Sequence, residues 1–193
     1  MIFLITIYLI SGFRLNENTQ SFTSLKLLSG LAPPSGYSWL YPSKCPNGLT
    51  CYHDFEEGMK IAKEINKPIL LDFTGKGCVN CRKMEEHVWS QKEVFDIINE
   101  EYVLISLYVD DREFLPEEEQ GIININYSDG SSKIKRIRTI GDKWSAFEIL
   151  RFKQIAQPYY FLLTPEGELI NNPVGYTPNK LVYKDWLECG LDI

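Results

Sequence analysis

The sequence predicts an α/β domain, a central mixed β-sheet flanked by helices, with one inserted, hairpin-containing segment. Three observations carry that expectation. Short apolar runs at residues 68–73, 102–109 and 159–164 alternate with stretches of helical periodicity. A strand–helix–strand unit precedes a strand–strand–helix unit, which mixes parallel and antiparallel neighbours in one sheet. The chain has 193 residues, 44% hydrophobic and 24% charged, enough for one domain with a sizeable core plus appendages.

Taken in order, Asp54 is placed to cap a helix running to about Asn66, with Phe55, Met59, Ala62 and Ile65 at helical spacing. Residues 68–73 are apolar with a turn behind them, the mark of a buried strand. Residues 74–77 read as a loop, and helix formers Arg82, Lys83, Met84, Glu85 and Glu86 dominate a helix from Cys78 to about Trp89. Ser90, with Glu93 three residues on, predicts the N-cap of a further helix to about Glu100. Residues 102–109 form a second apolar strand. The polar stretch 110–141, around Ser128-Asp129-Gly130-Ser131, predicts the insertion and its hairpin. Helical periodicity returns from Lys143 to about Ile155. Residues 159–164 and 168–171 flank Pro165-Glu166-Gly167 as another hairpin, and a last helix from about Asn179 to Cys189 ends at Gly190.

Residues 1–13 are strongly apolar, but a helix of that length reaches only ~15–20 Å against the ~30 Å of a membrane core. The preferred reading is the end of a transmembrane helix that starts upstream. A signal peptide lacking its positive n-region and a buried element of the domain are the alternatives. Residues 14–52, with Pro33-Pro34 and Pro46-Asn47-Gly48, read as a linker, and residues 53–193 as the domain. The net charge of −6 and the lack of a long basic run exclude a nucleic-acid partner. The densest basic stretch, Lys133-Ile134-Lys135-Arg136-Ile137-Arg138, reads as a strand with one solvated face.

The chemistry concentrates at Cys78-Val79-Asn80-Cys81. A Cys-x-x-Cys that follows a strand and opens a helix puts its first sulfur near the unpaired N–H groups and positive dipole of the helix N-terminus, which favours thiolate. Cys81, one turn further in, can then resolve a mixed disulfide formed on Cys78. A zinc knuckle would need a second ligand pair of similar spacing, which Cys45, Cys51, His53, His87 and Cys189 do not form; an inert structural pair is the other alternative. Asp72 is a charge within an apolar strand, costly unless it serves the pair as a proton acceptor, while an exposed strand-end position is the bland reading. Glu85 lies four residues after Cys81 on the same helical face, where its charge would raise thiol pKa values unless it is merely solvated. Gln157-Pro158 precedes an apolar strand; a cis bond there would expose a backbone edge to an extended substrate, and a trans proline starting the strand is the alternative. Val79 and Asn80, with Gln157 and Pro158, are the expected substrate-contacting positions. No metal and no cofactor is expected.

Together these features resemble the thioredoxin superfamily. The nearest resemblance is to the C-terminal domain of the membrane thiol:disulfide interchange family typified by DsbD, of cytochrome c biogenesis type. The words that carry it are Leu70-Leu71-Asp72-Phe73-Thr74-Gly75-Lys76-Gly77-Cys78-Val79-Asn80-Cys81-Arg82-Lys83-Met84-Glu85 and Gln157-Pro158-Tyr159-Tyr160, with Gly141-Asp142-Lys143-Trp144-Ser145 typical of one branch. The resemblance covers about residues 53–190. It implies a thioredoxin fold and a reductase that takes electrons from an upstream membrane redox domain. The acceptors would be extracytoplasmic thiol–disulfide proteins, reached from the periplasmic face of the inner membrane. It also implies that Asp72 and Glu85 are the acids that tune the cysteine pair. Gly77 stands where a tryptophan is common in the superfamily, and the 110–141 insertion is longer than in short members. An oxidase or isomerase, and a non-catalytic binding module, are the rival functions. In an oxidising compartment Cys45 and Cys51, flanking a tight turn, are expected to pair as a structural disulfide, with a second redox pair as the alternative. Cys189 is expected to be partly buried at a helix end.

Overall fold

The computed structural model describes residues 2–12, 14, 25, 27, 45–126 and 132–192. At the N-terminus, α1 (Ile2–Ser11) buries none of its residues. No described helix is long and apolar enough to cross a membrane. Most of the expected linker, and the Ser128–Ser131 turn of the insertion, lie outside the described residues.

The sheet combines β1 (Cys51–Tyr52), β2 (Ile69–Thr74), β3 (Val103–Tyr108) and β6 (Tyr159–Leu163) in the order β1-β3-β2-β6. β2 is parallel to β3 and antiparallel to β6, the mixed sheet expected from the order of elements. β1 is an addition. Residues 45–52, read from sequence as the end of the linker, pack onto the domain, with Cys51 opposite Leu104 and Tyr52 opposite Ile105. A strand this short offers no periodicity to detect.

Side chains of β2 alternate between two cores, as the strand period requires. Ile69, Leu71 and Phe73 face α2 (Phe55–Ile65) and α5 (Ile140–Phe152), packing with Phe55, Met59 and Trp144. Leu70 faces the opposite layer, formed by α3 (Val79–Met84), α4 (Lys92–Glu101) and α6 (Lys180–Cys189), with Met84, Ile98, Tyr183 and Leu187. Asp72 and Thr74 share the Leu70 side by the same alternation. All six β2 residues are buried, which explains the largely apolar run around Asp72.

Capping sets most helix starts. The Asp54 carboxylate accepts the N–H groups of Glu56 and Glu57, and left-handed Asn66 ends α2. Asn179 caps α6 through the Leu181 N–H. α5 starts three residues before the expected Lys143, because Thr139 and Asp142 form a capping box. The expected N-cap at Ser90 is corrected. α3 runs into a π-helical turn, Glu85–Trp89, where the Ser90 hydroxyl donates to the Glu86 carbonyl at 2.6 Å; Gln91 takes the cap position of α4. Gly190 ends α6 without adopting a left-handed conformation. Its small size is what counts, because a Cβ there would overlap Leu162 Cδ1 and sit 2.6 Å from the Tyr102 hydroxyl. Cys189 is exposed, not partly buried.

The insertion holds β4 (Gly121–Asn126) paired antiparallel with β5 (Ser132–Ile137). Ile125 and Ile137 turn inward, Ile137 packing with Leu115 and Ala146, while Ile122 and Ile134 remain 68% and 70% exposed. One solvated face was the expectation for the basic strand. Ile134 and Ile137 are three positions apart, so a strand cannot turn both inward. The return arm of the 165–167 hairpin is reduced to a single bridge, Leu163 to Leu169, around Gly167 at φ 92°.

Gly141 shows how closely the layers meet. A Cβ there would lie 2.7 Å from the backbone N and O of Asp111 and from the Val109 carbonyl. Gly141→Ala is expected to destabilise the domain by about 1–3 kcal/mol, read as a lowered urea midpoint at unchanged slope.

Candidate active site

The site forms where β2 and β3 end. After Thr74 the chain turns through Gly75–Gly77, and the Asp110 carboxylate, just past β3, accepts the N–H groups of Lys76 at 2.7 Å and Gly77 at 2.8 Å. The Lys76 ammonium pairs with Asp111 at 2.8 Å. This bracing delivers Cys78 to the N-cap of α3, where its sulfur accepts the Cys81 N–H at 3.2 Å. Cys78 and Cys81 are joined as a disulfide with Cα atoms 5.3 Å apart. Cys78 is 8% exposed and Cys81 1%, whereas Val79 and Asn80 between them are exposed. Cys78 is therefore the more accessible of the two cysteines.

Beneath the pair lies a buried charge cluster. Asp72 comes from the α3 side of β2, and Ser106 and Tyr160 are its neighbours in β3 and β6. Arg82, from the first turns of α3, is 3% exposed; its guanidinium meets Glu85 Oε1 at 2.5 Å and donates to the Thr74 hydroxyl at 3.2 Å. Glu85 is itself buried, so the solvated alternative is set aside. Burial pushes the Asp72 carboxyl up to about 7 against the pull of Arg82. Burial likewise pushes Glu85 up to about 8, again opposed by Arg82 and helped by Asp72 and Glu86. Two buried carboxylates lie beside one guanidinium, so the cluster holds a proton near neutral pH. Burial also lifts Tyr108, at the edge of the cluster, to about 12.

The third wall is the segment before β6. The Gln157–Pro158 bond is cis. The Gln157 side-chain oxygen lies 2.7 Å from where a Cβ on Gly75 would be, so the proline loop abuts the cysteine loop. Gln157 is exposed and Pro158 buried. Buried Glu148 of α5 holds this loop by accepting the Ala156 N–H at 2.9 Å, and burial raises its carboxyl to about 7.

The structure thus gathers Cys78, Cys81, Asp72, Glu85, Val79, Asn80, Gln157 and Pro158 around one end of the sheet. Sequence reasoning missed Arg82, which looked like one helix former among several, and Glu148. It also missed Asp110, whose signal was a charge at the carboxyl end of a strand neighbouring β2. Cys45 and Cys51 are joined in a second disulfide, Cα to Cα 5.8 Å. With His53 they are the one cluster of metal-type donors among the described residues, their donor atoms within 4.8 Å of one another, but both sulfurs are engaged with each other.

Residues 55–188 match the family model of the thioredoxin-like domain. Among solved structures, the oxidoreductase DsbH superposes with a TM-score of 0.53 at 17% identity, covering 82% of this chain and 96% of its own. A thioredoxin from Thermus thermophilus gives 0.49 at 16% identity, covering 72% and 85%. The oxidised C-terminal domain of DsbD from Neisseria meningitidis gives 0.47 at 16%, covering 72% and 97%. At such identities a structural likeness speaks to fold alone. No curated protein matches the sequence. The family match extends over β2, β3 and β6, both helical layers and the Cys78–Cys81 pair, and by it this chain belongs to the thioredoxin-like domain family, with a thiol–disulfide oxidoreductase fold.

Proposed function

We propose that this domain is a thiol–disulfide reductase that passes electrons from a membrane redox domain to disulfide-containing proteins outside the cytoplasm. The observation that carries the chemistry is the Cys78–Cys81 pair at the mouth of α3, with Cys78 as N-cap and the Asp72–Arg82–Glu85 cluster beneath. The direction and the partners are supported by the sequence resemblance to the DsbD-type family. The apolar α1 is in keeping with attachment at the periplasmic face of a membrane.

In the reduced domain the Cys78 thiolate attacks a substrate disulfide. A Cys78–substrate disulfide forms and the first substrate sulfur leaves as thiolate. Cys81 gives its proton to the carboxylate cluster and attacks the Cys78 sulfur. The Cys78–Cys81 disulfide forms, the second substrate sulfur leaves and takes up a proton, and two electrons have passed to the substrate.

Equilibration against glutathione is expected to give a midpoint at or below about −200 mV; a value of about −120 to −180 mV would instead make the domain an oxidase or isomerase. Cys81→Ser is expected to accumulate mixed disulfides through Cys78, and mass spectrometry of the trapped complexes identifies the acceptors. Absence of any trapped species from a reduced, folded Cys81→Ser domain would sink the reading.

A further inference from the structure

The second disulfide closes a loop packed against the back of the active-site helix. Cys45 and Leu49 of that loop are buried in the same cluster as Met84, Val88 and Trp89. At its tip, Asn47 takes a left-handed conformation, φ 54°, followed by Gly48 at φ 77°. From there the Asn47 side-chain amide donates to the Glu85 carbonyl at 2.7 Å, across 38 residues of chain. The cysteines at the two ends of the turn are fixed to each other by their disulfide.

The target of that bond is specific. Glu85 is the first residue of the π-helical turn, where the ladder of α3 widens and one extra residue has to be accommodated. A donor from outside the helix fixes the backbone at that step. The Glu85 carboxylate is the partner of Arg82, and Arg82 is the one guanidinium of the cluster beneath the cysteine pair. Glu85 also faces Glu86 on its own turn, Asp72 from β2 and Tyr108 from β3, so a small displacement alters several charges at once.

We propose that Asn47 is a positioning residue for the Cys78–Cys81 pair: the Cys45–Cys51 disulfide holds Asn47, Asn47 holds the Glu85 backbone, and Glu85 thereby sets the charge beneath the reacting sulfurs. The proposal rests on the reductase reading of that pair. It also means that opening the second disulfide is felt at the first.

Asn47→Gly tests it, since glycine keeps the left-handed backbone and removes only the amide. Asn47→Asp also tolerates that backbone but presents an acceptor to a carbonyl. The readouts are the pH profile of Cys78 alkylation by iodoacetamide in the domain reduced at Cys78–Cys81 with Cys45–Cys51 closed, and the midpoint potential of the Cys78–Cys81 pair. Both variants are expected to move the profile by about half a pH unit or more, and the Cys45→Ser/Cys51→Ser double variant is expected to move it in the same direction. A fall in melting temperature with profile and potential unchanged in every variant would overturn the proposal and leave the loop a staple. Loss of the reductase reading itself would show separately, as a parent domain that alkylates at Cys78 yet reduces no protein disulfide.

Discussion

Cys78→Ser is expected to abolish disulfide reduction, with turnover falling at least about 10³-fold, the scale on which removal of a nucleophile acts. A serine hydroxyl is almost wholly protonated at neutral pH even at a helix N-terminus, and its oxygen cannot close the disulfide that carries the electrons away. The fold should be indifferent to the change. Position 78 contributes one small side chain at the rim of the site, while α3 is held by Met84 in the core and by the Arg82–Glu85 pair. The measurement is the rate at which the reduced domain opens a protein disulfide, taken with the urea midpoint of the same preparation. Full turnover in a folded Cys78→Ser domain would remove the thiol mechanism altogether.

The second large effect belongs to Asp72, and it has two opposite parts. Burial raises its carboxyl from 3.8 to about 7, and that of Glu85 from 4.5 to about 8. The folded domain therefore binds protons that the unfolded chain releases. The associated stability is complete below about pH 4 and is lost as pH rises through 7 to 8. Asp72→Asn keeps the shape and removes the titration. Each tenfold change in proton affinity is worth about 1.4 kcal/mol, so the variant is expected to be more stable than the parent at pH 8.5 by roughly 2–4 kcal/mol, with much less difference at pH 4. The same change takes away a proton acceptor for Cys81. Resolution of the mixed disulfide is expected to slow about 10²-fold at pH 7. Urea titrations at pH 4 and 8.5, and single-turnover release of reduced substrate, check the two parts. Equal loss of stability with rising pH in parent and variant would refute the assignment of a buried, protonated Asp72.

The elements that a reader of the sequence can see are those whose cause is local. Buried β2 announces itself as a largely apolar run, Asp54 and Asn179 as caps, and the cysteine pair by its spacing and place between a strand and a helix. Asp72 was legible because a charge inside such a run demands a reason. What escaped depends on contacts across the chain. Arg82 looks like any helix former until Glu85 and Thr74 are found against it. Asp110 acquires its purpose only when the ends of β2 and β3 come together. Glu148 reads as a surface acid on a helix, yet is fully buried beneath the loop that carries Pro158. Ser90 satisfied the local rule for an N-cap and lost the position to Gln91, because the π-helical turn shifts the register by one residue. The β1 pairing is set by a disulfide and two residues of register, too little chain to leave a pattern.

The two-residue strand β1 also bears on how copies of the domain meet. Unsheltered strand margins are templates on which foreign chains polymerise. Here Cys51 and Tyr52 occupy the outer side of β3, and at the opposite margin Val174 and Leu169 bridge to Tyr160 and Leu163 of β6. On each flank the covering fragment pairs with only part of its neighbouring strand and is itself too short to recruit a further one. The four-stranded sheet therefore offers little continuous margin along which a further chain could add.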